Sequence, residues 1–213
     1  YVRNKIEKTK EVGFNSIEHK LEDNVSEEQL LELVNRLNKD DNVQGILVQL
    51  PLPDHINSDK VLDQIKPEKD VDGFHAVNVG RLWSGMNSLV PCTPLGSSIL
   101  IKKNIDDLSG KNAVIIGRSN IVGKPMAALL LKLNATVTFV HSRTENIEKI
   151  CKDADLLVAA VGVPDVETVS CTSLSVAAPT NPAVAYFNIS PREFTVTGVS
   201  EANVPFEMAP FSP

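Results

Sequence analysis

The sequence predicts an α/β protein built of two small domains, and three observations carry that reading. Strand-like and helix-like patterns alternate twice within the first sixty residues. A β-branched run, Asn112-Ala113-Val114-Ile115-Ile116, passes through a loop containing Gly117 and Gly123 into the helical pattern of 126–131. Thr136-Val137-Thr138-Phe139-Val140 then follows at the separation a βαβ unit requires.

Composition narrows the partners. With 213 residues the chain can bury one large or two small cores, and its formal net charge of -6 argues against nucleic acid or an anionic membrane as the main partner. Cys92, Cys151 and Cys171 are odd in number and widely spaced, which suggests neither a disulfide framework nor a zinc site and fits a reducing compartment. No apolar run approaches the length of a membrane span, and the first residues carry a charged helical pattern unlike a signal peptide. The expectation is an intracellular protein, cytoplasmic or mitochondrial, whose start reads as cut from a longer chain.

Residues 1–12 read as a helix stopped by Gly13, and 14–21 as a strand. Ser26 and Gln29 are spaced as a capping box ahead of a helix whose buried stripe is Leu30, Leu31, Val34 and Leu37. The run 44–50 is an apolar strand ended by Pro51 and Pro53. Thr93 as N-cap with Pro94 at the first helical position opens a connecting helix over 97–103. These signals place the junction between about 85 and 95, giving a first domain of 1–90 and a second of 91–164.

Several polar residues stand out against this frame. Gln49 falls within the strand's apolar stretch, where its amide needs partners, either structural or at a site. Asp70 and Asp72 lie two apart and face one way in extended chain, with Gly73 permitting a turn. They suit a solvated turn or recognition of an N–H-rich ring; no further ligands complete a metal site, so no metal is expected. Tyr1 and Lys5 share a helix face, as surface decoration or, if buried, as an acid/base pair. The 117–123 loop, at the carboxyl edge of a parallel sheet, is a turn or a phosphate cradle offering bare N–H groups and a helix N-terminus. At the end of the next strand His141-Ser142-Arg143 supplies a hydroxyl and a cation where NAD would want a carboxylate, so the nucleotide reading favours NADP, with Arg118 as a second cation and NAD as the lesser choice.

Taken together, Tyr1-x-x-x-Lys5, Gly45-Ile-Leu-Val-Gln-Leu-Pro-Leu-Pro53, Pro67-Glu-Lys-Asp-Val-Asp-Gly73, Pro91-Cys-Thr-Pro94 and Gly117-Arg-Ser-x-Ile-Val-Gly-x-Pro125 resemble the bifunctional methylenetetrahydrofolate dehydrogenase/cyclohydrolase family, in order, over about residues 1–164. The resemblance implies a small α/β catalytic domain followed by a Rossmann-like NAD(P)-binding domain. It implies oxidation of 5,10-methylenetetrahydrofolate by NADP+ and hydrolysis of the methenyl product to 10-formyltetrahydrofolate, steps of one-carbon metabolism and purine biosynthesis. Lys5 matches the family's essential lysine, Tyr1 the tyrosine lining the folate site, and Gln49 the glutamine paired with the lysine. Gln49 and Leu50 fall in the substrate-binding strand end, and Asp72 matches the carboxylate that holds the pterin's amino-pyrimidine edge. Gly117, Arg118, Ser119, Gly123, Ser142 and Arg143 fall where the family holds NADP, and a homodimer through the nucleotide domain is implied.

Beyond Val163-Pro164 the resemblance stops. Residues 165–213 contain no lysine, one arginine and one glycine, with many Pro, Ser, Thr and Ala. The stretches 183–189 and 194–199 have strand character that nearby prolines demote, so the tail reads as poorly ordered and the nucleotide domain as incomplete, with an unpaired sheet edge. This leaves two further readings open: a catalytically impaired fragment or isoform that keeps partial nucleotide or folate binding, and a related amino-acid or shikimate-type dehydrogenase, against which the Gln49 and Asp72 motifs speak.

Overall fold

The computed structural model describes residues 2–161, 183–186 and 195–200. The chain divides into two compact units, one formed by residues 2–71 with the strand 195–200, the other by residues 72–161 with 183–186. Residues 72–90, which the sequence reading keeps with the first domain, here cluster with the second unit.

In the first unit, α1 (Val2–Glu11) ends at Gly13, whose φ of 86° is one that glycine adopts without strain. Then β1 (Asn15–Lys20) leads to α2 (Glu27–Lys39), which opens with the expected capping box: the Ser26 hydroxyl accepts from the Gln29 amide and the Gln29 side chain accepts from the Ser26 amide. The buried stripe of α2 is Leu30, Leu33, Val34 and Leu37, while Leu31 is half-buried. Leu33 completes the i, i+3, i+4, i+7 spacing, which is why it, and not Leu31, faces the core. The next strand, β2 (Gly45–Val48), is shorter than the 44–50 run, so Gln49 stands just past its end.

The core of this unit packs Leu30, Val34 and Leu37 of α2 against Ile46 and Val48 of β2 and Val61 of α3 (Ser58–Gln64). A loop from Gln49 to Asn57, with a cis Leu50–Pro51 bond, is tied to the start of α2. The Glu27 carboxylate accepts from the Asn57 amide at 2.8 Å and from the Lys60 ammonium at 2.5 Å, and a His55 ring nitrogen lies 2.8 Å from the Val25 carbonyl. The Lys60 and Asn57 hydrogen bonds hold the Glu27 carboxyl below its usual range, and the same contact raises Lys60.

The second unit contains α4 (Ala76–Trp83), capped by a His75 ring nitrogen that accepts from the Val77 amide, and α5 (Cys92–Asn104). Helix α5 starts earlier than expected, with Pro91 and not Thr93 at the N-cap position and no side-chain cap. Pro94 therefore occupies the third helical position, where its missing N–H is still one of the unbonded first-turn donors. The parallel pairing of β3 (Asn112–Ile116) with β4 (Thr136–Val140) and β5 (Leu156–Ala159) is the expected βαβ arrangement, with α6 (Gly123–Lys132) and α7 (Ile147–Lys152) as crossovers. Ile115, Leu156 and Val158 of the sheet pack with Met126, Ala127 and Leu130 of α6 into one core, and Val114, Val140 and Leu157 pack with Cys151 into another. A sheet buried on both faces explains its unbroken β-branched runs.

Two strands correct the reading of the tail. The backbone of 183–186, β6, pairs parallel with β5, so the edge of β5 is not open. The backbone of 195–200, β7, lies antiparallel between β1 and β2. Pro182 and Pro191 flank these segments without interrupting them, which removes the objection to strand. The rest of 162–213 lies outside the described residues.

Gly117 ends β3 with φ of 108°, and a Cβ there would collide with the Ala160 carbonyl oxygen after β5. Gly123 is bound to the same constraint, since its Cβ would come within 2.5 Å of the Gly117 carbonyl oxygen.

Three outcomes follow from this packing. Leu30→Ala should cost about 2–5 kcal/mol in urea unfolding, with Leu31→Ala clearly milder. Glu27→Gln should lower stability at neutral pH and have a shrinking effect under acid, because a carboxyl with a depressed folded-state pKa contributes above its unfolded pKa and loses that contribution as pH falls through the folded one; melting curves of both proteins across pH check the sign. Gly117→Ala should lower the melting temperature of the second unit more than Gly85→Ala, because both have positive φ, a strain of about 1–3 kcal/mol, but only Gly117 meets another backbone.

Candidate functional site

Chemistry-bearing residues gather at one place in each unit. In the first, Lys5 projects from the middle of α1 and Gln49 stands at the carboxyl end of β2. The Lys5 ammonium donates to Gln49 Oε1 at 3.2 Å across 44 residues of sequence. Gln49 Nε2 in turn donates to the Leu50 carbonyl at 3.0 Å, so both ends of the amide are engaged and its orientation is fixed by its partners. The Thr9 hydroxyl donates to the Lys5 carbonyl at 2.7 Å within the helix. Lys5, Gln49 and Leu50 are all half-buried, a setting in which a lysine keeps access to water while its stem packs. Tyr1 lies outside the described residues.

The two aspartates behave differently from a solvated turn. Asp70 is 1% exposed and pairs with Ile46 as a parallel bridge, and Asp72 is half-buried. Gly73 has φ of 68°, and a Cβ on it would lie 2.6 Å from the Leu89 carbonyl oxygen, so this turn demands glycine. Among the described residues no group of three or more His, Cys, Asp or Glu side chains is arranged to hold a metal. No helix among them is long and apolar enough to cross a membrane.

In the second unit the site is the carboxyl edge of β3, β4 and β5. The Gly117 amide donates to the Val140 carbonyl at 2.8 Å and the Ala160 amide to the Ile116 carbonyl at 2.8 Å, so the ends of the three strands are level. Arg118, Ser119, Ser142 and Arg143 stand exposed just beyond them. The Arg143 amide donates to His141 Nδ1 and the His141 amide to the Thr144 hydroxyl, a tight turn that presents the Ser142 and Arg143 side chains outward.

The loop differs from the expected helix N-terminus in one respect. The first amides of α6 are already occupied: those of Val122 and Gly123 donate to Ser119 Oγ at 3.2 Å each, that of Lys124 donates to the Ser119 carbonyl, and Pro125 has none. The amides of Arg118, Ser119, Asn120 and Ile121 have no hydrogen-bond partner among the described residues. The donors for an anion are therefore the loop's own N–H groups, together with the Ser119 hydroxyl proton, left over after its oxygen has accepted twice. With Cβ-free positions at Gly117 and Gly123 and the exposed guanidinium groups of Arg118 and Arg143 on the same unit, these residues fit a phosphate-bearing nucleotide. The sequence alone points to this loop; it carries no sign of which amides have no partner among the described residues.

Comparison with known proteins agrees with both halves. Residues 1–72 match the catalytic-domain model of tetrahydrofolate dehydrogenase/cyclohydrolase, and residues 91–173 match the NAD(P)-binding-domain model of the same enzyme. The bifunctional protein FolD of Campylobacter hominis is 58% identical over 165 residues, which cover 78% of this chain and 58% of that protein. The crystal structure of the bifunctional enzyme FolD from Campylobacter jejuni is similar with a TM-score of 0.75 at 48% identity, covering 78% of this chain and 59% of its own. The Trypanosoma brucei enzyme, solved with NADP cofactor and an inhibitor, gives a TM-score of 0.73 at 41% identity, covering 77% and 57%. The chain thus spans a little under three fifths of the length of these relatives. A lysine and glutamine joined at the end of a catalytic-domain strand, a glycine-bound loop at the edge of a nucleotide-binding sheet, and both domain models in this order lead to one assignment: the chain belongs to the tetrahydrofolate dehydrogenase/cyclohydrolase family.

Proposed function

We propose that the chain acts as a methylenetetrahydrofolate dehydrogenase and methenyltetrahydrofolate cyclohydrolase, with NADP+ as oxidant. The observation that carries the reading is the Lys5 to Gln49 hydrogen bond, which joins two separate catalytic-domain motifs at one point. When bound, NADP+ supplies the hydride acceptor for oxidation of the methylene carbon. The loop amides of 118–121 and the Ser119 hydroxyl take its phosphates, and Arg118, Ser142 and Arg143 recognise the 2′-phosphate in place of the carboxylate that NAD would select. Asp72 accepts from the N–H groups of the pterin's amino-pyrimidine ring, and Tyr1 and Leu50 line the folate.

Hydrolysis of the methenyl form asks more of the protein. Water adds to the electrophilic methenyl carbon and gives up both of its protons as its oxygen becomes the formyl carbonyl: one passes to the departing nitrogen as its bond to that carbon breaks, and the other is released to solvent. Lys5 moves the transferred proton: its Nζ ammonium, held by Gln49 Oε1, gives a proton to the departing nitrogen and then takes one back from the added hydroxyl. Assembly as a homodimer through the nucleotide unit and a cytoplasmic site of action belong to the same reading.

A single assay tests it: purified chain with methylenetetrahydrofolate, NADP+ and NAD+ side by side, followed by methenyl absorbance. NADP+-dependent formation of the methenyl product is expected. Lys5→Met should slow its hydrolysis by about 10²–10⁴-fold, the contribution of a positioned acid/base, while wild-type hydrolysis in that variant removes Lys5 from the mechanism. Ser142→Ala and Arg118→Ala should each raise the KM for NADP+ about tenfold or more, as expected for loss of a charge-assisted phosphate contact, with a smaller change for NAD+. Saturable NADP+ binding with zero turnover would instead favour a chain that binds without catalysis, a reading the atypical composition of 165–213 supports.

A further inference from the structure

Helix α2 ends without the usual device. Its C-cap, Asp40, has extended backbone (φ −82°, ψ 113°), and no glycine follows to turn the chain and satisfy the last carbonyls. The Asp40 amide donates to the Leu37 carbonyl and the Val43 amide to the Asp40 carbonyl, and a distant side chain adds to these local bonds. The Lys69 ammonium donates to the carbonyls of Leu37 at 3.2 Å, Asn38 at 3.0 Å and Asp40 at 2.8 Å, which uses all three of its hydrogens.

The same residue is held through its backbone. The Lys69 amide donates to the Lys66 carbonyl at 2.8 Å, and the Lys69 carbonyl accepts from the Ile46 amide at 2.7 Å. The buried Asn38 fixes the preceding turn, with Oδ1 accepting from the Lys66 amide at 2.9 Å and Nδ2 donating to the Gln64 carbonyl at 2.7 Å. Asp70 then bridges Ile46, two residues before Val48 ends β2 and three before Gln49. One lysine therefore locks the end of α2, the turn after α3 and the point where the aspartate segment meets β2.

We propose that Lys69 is a positioning residue for folate recognition: by helping to cap α2 while its carbonyl pairs with Ile46, it fixes the end of β2 that carries Gln49 and Leu50. The proposal rests on the folate reading above. Lys69 touches neither substrate nor cofactor in this account. Its effect reaches ligand binding through the end of β2, where Gln49 and Leu50 stand.

The test compares wild type, Lys69→Met and Lys69→Arg in the full chain, by hydrogen exchange at the Ile46 amide, steady-state kinetics and NADP+ titration. In Lys69→Met the Ile46 amide should lose protection and the KM for methylenetetrahydrofolate should rise about tenfold with kcat changed less than about threefold, the signature of lost uniform binding. NADP+ affinity should stay unchanged, and Lys69→Arg, which keeps donors for the carbonyls, should recover most of the KM. An unchanged folate KM in a Lys69→Met protein that has lost Ile46 protection overturns the proposal, as does unaltered Ile46 protection. If Lys69→Met does not fold, Lys69→Gln carries the same comparison. Should wild type show no folate turnover, the proposed activity fails by itself; the exchange measurement and the Kd for tetrahydrofolate then decide the role of Lys69.

Discussion

The hydrogen bond from the Ile46 amide to the Lys69 carbonyl is the constraint on which the first unit depends. Strand β2 has only four residues, and three of them, Gly45, Ile46 and Val48, are buried. Ile46 is fully buried among Leu30, Val34 and Val61, so its side chain fixes the strand against α2 and α3 while its amide fixes the aspartate segment. A strand this short and buried has no tolerated alternative register, because a slip of one residue would exchange its faces. Gln49 inherits that rigidity as the next residue but one after Leu47, and Lys5 reaches a partner that cannot drift. The fixed position of the Lys5 to Gln49 hydrogen bond thus comes from core packing several residues away.

Much of this was legible in the chain, for identifiable reasons. The β-branched run 112–116 and the alternation in 136–140 encode buried strands directly, and Ser26 with Gln29 encodes a helix start through local hydrogen bonds alone. Where tertiary contacts decide, the sequence signal was weak. Helices α3 and α4 are seven and eight residues long, too short for a clear period, and α4 is capped by His75, a residue outside the usual capping set. Thr93 and Pro94 resemble a cap and so point to a later start for α5, whereas the helix begins at Cys92. The strands of 183–186 and 195–200 were discounted for prolines that lie outside them.

The candidate site was legible as a set of motifs and not as a geometry. Nothing local in the sequence indicates that Lys5 and Gln49 touch; only their joint occurrence in a family pattern brought them together, and the 3.2 Å contact gives that pairing a physical form. Asp70 was indistinguishable from Asp72 by spacing, yet one is buried and bridged to β2 while the other is half-buried at a glycine turn. Lys69 gave no signal, since a lysine in a charged stretch is ordinarily solvated and the three carbonyls that take its hydrogens lie about thirty residues earlier.

The free amides of 118–121 have a consequence for how such a loop can diverge. Main-chain donors are supplied by every residue type except proline, so, Ser119 apart, what these positions offer an anion through their amides does not depend on their side chains. The glycines at 117 and 123 and the hydroxyl of Ser119 maintain the loop's shape. Arg118 and Asn120, exposed and outside that framework, are left at liberty to change. On the NADP+ reading proposed above, the phosphates common to both nucleotides and the 2′-phosphate that separates them would meet different atoms, so that one could be retuned over generations without dismantling the other.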